Sequence, residues 1–169
     1  NVDPEEIYNY KIRDQYNLWV RKWRLFKPSY GGIALRARGT HLGIVVASHQ
    51  GLTLSNFYEV IVNDKKIEIF KKLRTYHSKI KVCSKINSAI SLKNFKKYIL
   101  SLNKLDQTIA LSIDGKIIIK CSDKKFLKEL SWVTFSSGEG DSEIKNVSVV
   151  DFDAYKPPVR KIKKSDEIK

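Results

Sequence analysis

Several residue types are scarce or missing in this 169-residue chain, and each absence narrows the class of protein. There is no methionine, and there are only two cysteines. Two cysteines are too few for a disulfide-dense scaffold or for a structural zinc site. No apolar run approaches the roughly 18 residues that a membrane-spanning helix requires, so we expect no transmembrane segment. With 42% hydrophobic and 30% charged residues, the composition is that of a globular domain and excludes global disorder.

The missing methionine also bears on the origin of the chain. Because Asn1 is not a translation start, we expect a processed product or a piece of a larger secreted, surface or membrane-associated protein. We divide the chain into an N-terminal arm at 1–9, one folded domain at 10–155 and a basic, flexible tail at 156–169.

Acidic residues are scarce as well, with 18 Asp and Glu against 32 Lys and Arg. The excess is concentrated in residues 65–105, which contain twelve basic residues and one acidic residue. Such clustering favours an acidic membrane surface or a sulfated polyanion as partner, whereas the alternative is a merely solvated basic surface. The candidate anion-binding residues are Lys66, Lys71, Lys72, Arg74, Lys79, Lys81, Lys96 and Lys97.

Nucleic acid is the rival anionic partner for residues 65–105. A nucleic-acid stacking platform needs exposed aromatic residues within a basic groove. This segment has only one arginine, Arg74, and the chain has no RNP-type motif. We therefore expect a protein or glycan partner rather than nucleic acid, with a structural role in a protein assembly as a third hypothesis.

Alternation of apolar and polar residues runs through most of the chain and predicts about ten short strands. The cleanest hairpin is QTIALSIDGKIIIKC, in which Asp114-Gly115 supplies the two positive-φ turn positions. FYEVIVND and KKIEIFKKL form a second hairpin, and LWVRKWRLF is an early strand. Helix candidates are limited to KKFLKEL and SLKNFKKYILSL, and the latter is alternatively a strand with a charged lead-in. The predicted fold class is all-β, an antiparallel β-sandwich of the jelly-roll type with at most one or two short helices.

The strand order and three motifs carry a family resemblance. The motifs are Tyr58-Glu59-Val60, Asp114-Gly115-Lys116-Ile117 and Ser136-Ser137-Gly138-Glu139-Gly140. Over roughly residues 10–153 the pattern resembles the concanavalin A-like and laminin G-like jelly rolls, and it is most similar to the module named after farnesoic acid O-methyltransferase. This resemblance implies a lectin-like binding or adhesion module rather than catalysis.

Ligand contacts on such a module are expected from polar and aromatic residues on a sheet face or loop rim. The candidates are Arg36, Arg38, His41 and Tyr58. The loop SGEGDSE offers Glu139, Asp141 and Glu143 to a calcium ion, but Ca²⁺ takes six to eight oxygen ligands. We therefore expect no cofactor, and Ca²⁺ is the alternative.

The cysteines and histidines give no catalytic pattern. Cys83 and Cys121 lie in alternating apolar runs, which favours two buried free thiols. The alternative is a cross-strand disulfide, which would place the domain in an oxidising compartment. The three histidines lack metal-ligand spacing, and no G-x-S-x-G elbow occurs. We predict that the chain is not an enzyme.

Overall fold

The computed structural model describes residues 10–13, 17–22, 30–49, 51–87, 91–127, 129–136 and 140–151, with side chains described between residues 30 and 150 of these ranges. The described strands form two six-stranded antiparallel sheets around one hydrophobic core. The predicted β-sandwich is therefore confirmed. The predicted arm and tail lie outside the described residues.

The strands have the following bounds: β1 Tyr10–Arg13, β2 Asn17–Lys22, β3 Tyr30–Gly39, β4 His41–Ala47, β5 Phe57–Asn63, β6 Lys66–Lys72, β7 Ile80–Ile86, β8 Lys96–Asn103, β9 Thr108–Ile113, β10 Lys116–Ser122, β11 Trp132–Ser136 and β12 Asp141–Asp151. Sheet A has the order β1-β12-β3-β8-β9-β10, and sheet B has the order β2-β11-β4-β5-β6-β7. Strands β7 and β10 are thus edge strands of different sheets.

The period-two sequence pattern explains which side chains fill the core. On β3, Ile33 and Leu35 point inward and are buried, while Arg36 points outward. On β8, Tyr98 and Leu100 alternate inward in the same way. Successive side chains of a strand point to opposite faces, so each sheet presents an apolar face to the other and a separate outer face.

The predicted Asp-Gly hairpin joins β9 to β10. Asp114 has a φ of 50° and Gly115 a φ of 83°, the positive values that a two-residue hairpin turn requires. The predicted hairpin of β5 and β6 is also present. There the Asn63 side chain accepts hydrogen bonds from the Lys65 and Lys66 amides, each at 2.9 Å, and closes the turn.

The helix candidates did not form helices in the described residues. SLKNFKKYILSL contains β8, because its inward residues follow a period of two and pair with neighbours on both sides. The described part of KKFLKEL belongs to the crossing from sheet A to sheet B, where Phe126, Leu127 and Leu130 are buried in the core. The only helix in the described ranges is the short 3₁₀ turn Leu52–Leu54. No helix in these described ranges is long and apolar enough to span a membrane.

The favoured interpretation of two free thiols is wrong. Cys83 on β7 and Cys121 on β10 form a disulfide with a Cα–Cα separation of 6.2 Å. This distance lies in the normal range for the bond. Because β7 and β10 belong to different sheets, the disulfide links the two sheets along one open side of the sandwich.

Candidate functional site

A row of three basic residues crosses the outer face of sheet A. Arg36 on β3 lies opposite Lys145 on β12 and opposite Lys97 on β8. Directly opposed residues on neighbouring strands have Cβ atoms about 5 Å apart. We call Arg36, Lys97 and Lys145 the cationic row. Among the described residues, none of the three forms an ion pair with a carboxylate.

An aromatic ring lies at one end of this row. The Arg38 guanidinium lies 4.6 Å and the Lys145 ammonium 4.1 Å from the centre of the half-buried Phe95 ring. Arg38 also donates two hydrogen bonds to the Glu143 carboxylate, at 3.0 and 3.2 Å. Arg38 is therefore held in place by Phe95 and Glu143, whereas Arg36 remains available to a ligand.

A shallow polar groove continues along the same face. Its cavity volume is about 80 Å³, and most of its lining consists of hydroxyl and amide side chains. The lining residues are Tyr30, Ser101, Asn103, Thr108, Ala110, Ser112, Ile117 and Lys120. We call this set the polar groove. Neutral hydrogen-bonding groups are the groups with which protein sites orient polar ligands.

In contrast to the polar outer face of sheet A, the central part of the outer face of sheet B is apolar and buried. Val45, Ala47 and Phe57 point outward from the core and are nevertheless buried in a second apolar cluster. Thr134 on β11, opposite Val45, is also fully buried. The outward side chains of this part of sheet B are therefore mostly apolar and covered.

Toward its β7 edge, sheet B pairs its acidic residues with lysines. Glu59 accepts a 2.6 Å hydrogen bond from Lys79, and Glu68 lies 3.0 Å from Lys81 and 3.3 Å from Lys66. Burial opposes ionisation of Glu68, but the hydrogen bonds and charges of the two lysines outweigh it and hold the pKa of that carboxyl below its ordinary value. Much of the lysine charge on this face is neutralised locally.

The eight predicted anion-binding residues do not form one patch. Lys66, Lys72, Lys79 and Lys81 lie on or beside sheet B, while Lys96 and Lys97 begin β8 of sheet A. Among the described residues, the five that are paired with carboxylates are Lys66, Lys71, Lys79, Lys81 and Lys96. Arg74 lines a separate hollow of about 310 Å³ with His49 and Asn56. Charge that is contiguous in the sequence is therefore divided between two faces.

Lys71 was wrongly assigned to an anion-binding surface. Its side chain points inward from β6, is buried at 7% exposure and lies 2.8 Å from the Asp123 carboxylate. Burial raises the pKa of Asp123, but hydrogen bonds from Lys71 and Tyr58 and the Lys71 charge hold it below its ordinary value. Lys71 therefore secures the segment that follows β10.

Tyr58 was likewise wrongly assigned to ligand contact. It is 0% exposed, its hydroxyl donates to Asp123 at 2.5 Å, and it accepts a hydrogen bond from the Leu127 amide at 3.1 Å. Burial, with the nearby Asp123 carboxylate, raises the pKa of the phenol, so Tyr58 remains neutral. Its place in the core follows from sharing the inward face of β5 with Val60 and Val62.

The remaining ligand candidates are separated by the fold. Arg36 and Arg38 lie on the outer face of sheet A, as the alternation predicted. His41 begins β4 in sheet B and is half-buried, and its carbonyl accepts a hydrogen bond from the Ser142 hydroxyl. His41 lines the same small hollow as Arg38, whereas Arg36 does not line it, so the fold does not bring all three residues to one site.

The calcium candidates are only partly described. Glu139 lies outside the described residues, and Glu143 forms the ion pair with Arg38. The Asp141 amide donates to the Thr40 hydroxyl at 3.1 Å. No group of three metal-binding side chains occurs among the described residues.

Solved structures that match this architecture include carbohydrate recognition domains and a carbohydrate-binding module. Sheep galectin-11, solved with glycerol, is 11% identical with a TM-score of 0.58 and matches over 82% of this chain and 98% of its own. The Emp46p carbohydrate recognition domain in its potassium-bound form is 11% identical with a TM-score of 0.59, over 89% and 88%. The chain has a lectin-like fold.

A third similar structure is the Ruminococcus gnavus IT-sialidase CBM40 bound to α2,3-sialyllactose. It is 9% identical with a TM-score of 0.58 and matches over 90% of this chain and 93% of its own. No protein-family model and no curated protein sequence matches the chain. At these identities the likeness concerns the fold.

Proposed function

We propose that the chain is a non-catalytic glycan-recognition module that binds an acidic oligosaccharide on the outer face of sheet A. The observation that carries the proposal is the cationic row of Arg36, Lys97 and Lys145 beside the polar groove. An acidic sugar has both kinds of group that this surface complements, an anion and several hydroxyls.

The cationic row is unfavourable without an anion. Like charges directly opposite each other on neighbouring strands destabilise a sheet. A bound carboxylate or sulfate would offset that repulsion. The planar Arg36 guanidinium can bind either anion through two parallel hydrogen bonds, whereas the lysines act as point charges.

The spacing along the strands favours an oligosaccharide over a single sugar. Lys97 and Ser101 point to the same outer face of β8, four residues apart. At about 3.3 Å per residue, this separation is about 13 Å. One sugar ring cannot contact both positions, so we place the charged sugar at the cationic row and neutral sugars along the polar groove.

The comparisons support this proposal without deciding the ligand. The three similar structures are named as a galectin, a carbohydrate recognition domain and a carbohydrate-binding module, and the last is bound to an acidic sugar. The finer resemblance to the farnesoic acid O-methyltransferase-type module stays a hypothesis. The Cys83–Cys121 disulfide favours an oxidising compartment and so a secreted or surface-exposed parent protein.

The alternative of electrostatic docking through residues 65–105 has less support. Five of the eight basic residues assigned to it are paired with carboxylates, and the eight are spread over two sheets. A surface of this kind offers an acidic membrane or polyanion fewer unpaired charges than the sequence count suggests.

Calorimetric titration with α2,3-sialyllactose, 3′-sulfated lactose and neutral lactose tests the proposal. We expect the two anionic sugars to bind more tightly than lactose. Arg36→Ala should weaken anionic binding about ten-fold, the size of a lost charge-assisted hydrogen bond, and should leave lactose binding nearly unchanged. Lys97→Ala should weaken anionic binding about three-fold.

The matched control is Lys72→Ala. Lys72 is also a strand lysine without a carboxylate partner in the described residues, but it lies on sheet B. Its replacement should leave all three affinities unchanged. Equal binding of lactose and the anionic sugars, or no effect of Arg36→Ala, would contradict the acidic-sugar site. Absence of binding to all three sugars would show that this face binds neither sialylated nor sulfated lactose.

A further inference from the structure

A second cavity lies between the edge strands of the two sheets, beside the polar groove, with which it shares Ile117. Its volume is about 330 Å³. One wall is the end of β7 with Asn87, and the other is the β9–β10 hairpin. The Cys83–Cys121 disulfide joins the same two edge strands farther along them. We call this cavity the edge cleft.

The edge cleft has an apolar floor and an apolar mouth. Ile67 and Ile113 on the floor belong to the hydrophobic core. At the mouth, Ile86 is 80% exposed and Ile117 is 58% exposed. Two large apolar side chains held in water beside one cavity are an indication of a binding site, because each would be stabilised by a ligand that removed it from water.

Lysines surround this apolar interior. Lys85, Lys96 and Lys116 line the cleft against one acidic residue, Asp114. Lys96 lies 3.6 Å from the Asp114 carboxylate, and the Lys85 ammonium donates to the Ile118 carbonyl at 3.1 Å. Lys116 has no carboxylate partner among the described residues. The excess positive charge therefore selects a ligand whose polar end is anionic.

We propose that the edge cleft binds a free single-chain amphiphile with a carboxylate headgroup, of the fatty-acid class. The chain packs over Ile67, Ile86 and Ile113, and the carboxylate lies beside Lys116. The volume is at the small end of the range for small-molecule sites, so it suits one chain rather than a folded partner. This site shares neither its charges nor its face with the cationic row, so it does not depend on the proposed glycan function.

Sodium decanoate is the test ligand, added to the full chain below its aggregation concentration and followed by amide chemical shifts in NMR spectra. We expect saturable shifts at Lys85–Asn87 and at residues 113–118. Two matched ligands separate the contribution of the headgroup charge from that of the alkyl chain. Decyltrimethylammonium keeps the chain and reverses the charge, and butyrate keeps the headgroup and shortens the chain. Both should bind at least ten-fold more weakly than decanoate.

Ile86→Ser and Lys116→Ala should each weaken decanoate binding about five-fold, the order expected for one exposed contact. Both residues are exposed, so neither change should unfold the domain, and circular dichroism checks this. Ile117 is left unchanged because it also lines the polar groove. Leu105→Ser is the control, because Leu105 is 77% exposed in the β8–β9 turn and does not line the cleft.

Three results would overturn the proposal. The first is no decanoate binding, and the second is equal binding of decyltrimethylammonium. The third is cosedimentation with phosphatidylglycerol vesicles that needs Ile86 and that decanoate does not compete away, because this result would assign the cleft to a lipid surface instead. Decanoate binding that is unchanged in Arg36→Ala, while anionic sugar binding falls, would confirm that the two sites are separate.

Discussion

The outer faces of the two sheets use basic residues in opposite ways. On sheet B, Lys79 is matched by Glu59 of β5 and Lys81 is matched by Glu68 of β6. On sheet A, Arg36 is flanked by Lys97 and Lys145, and no described carboxylate pairs with any of the three. Lys97 is the one residue of the basic segment 65–105 that belongs to the cationic row. The surface is decided by which strands become neighbours.

Removing the disulfide should have the largest effect on stability. It also tests whether sheet A binds sugar independently of the edge strands that the disulfide joins. The bond spans a sequence separation of 38 residues. Replacing both Cys83 and Cys121 with Ala should lower the free energy of unfolding by about 4 kcal/mol, from the chain entropy restored to the unfolded state. Urea denaturation measures this loss.

Anionic sugar binding at low temperature should survive that double replacement, because the cationic row lies on interior strands of sheet A. A stability loss under about 1 kcal/mol would show that the disulfide contributes little to holding the sheets together.

A pair of lysine replacements separates structure from binding. Lys71→Met should destabilise the domain by about 3 kcal/mol, because it leaves the Asp123 carboxylate partly buried without its charge partner. Lys97→Met should change stability little and weaken anionic sugar binding instead. Urea denaturation and calorimetric titration of the same two variants check both halves. A reversed pattern would contradict the assignment of Lys71 to the core.

Lowering the pH should remove the stability that the paired carboxylates contribute. The pKa values of Glu68 and Asp123 are lowered in the folded state by their lysine partners, although burial opposes this. Carboxyls with depressed folded pKa values contribute stability above their unfolded pKa, near pH 4, and this contribution is lost as the pH falls through the folded pKa. The free energy of unfolding should therefore be constant above about pH 5 and fall below about pH 4.

The measurement is urea denaturation between pH 2 and pH 7. Lys71→Met removes the main partner of Asp123, so its curve should fall less steeply in acid. A wild-type curve that rises in acid would contradict the pairing.

The smallest expected effect comes from the lysines of sheet B. Lys79→Ala and Lys81→Ala each remove a partly exposed ion pair, worth under about 1 kcal/mol. Neither should alter the affinity for anionic sugars. A loss of sugar affinity as large as that of Arg36→Ala would move the binding surface to sheet B.

The alternating sequence pattern was sufficient to predict the fold class. Alternation along the strands and the Asp114-Gly115 turn are local signals, and both are confirmed. Lys71 follows the inward alternation of Ile67 and Ile69, but we assigned it to a surface because of its charge. Sheet membership depends on contacts between distant segments, so the disulfide between β7 and β10 could not be settled from spacing.

The candidate site was only partly predictable. Arg36 and Lys97 follow the outward alternation of their strands, but their adjacency depends on the pairing of β3 with β8. Lys145 was missed, because a register shift in β12 begins directly after it and Asn146 has a φ of 56°. Its packing against Phe95 links residues 50 positions apart and leaves no local signal.

The most direct test is to locate the sugar on one of the two faces. The measurement is amide chemical-shift mapping of the isotope-labelled chain during titration with α2,3-sialyllactose. We expect shifts concentrated at Arg36, Lys97 and Lys145 and extending to Ser101 and Ser112, with residues of β5 and β6 unchanged. Shifts concentrated on β5, β6 and β7, or no saturable shifts at all, would contradict this expectation.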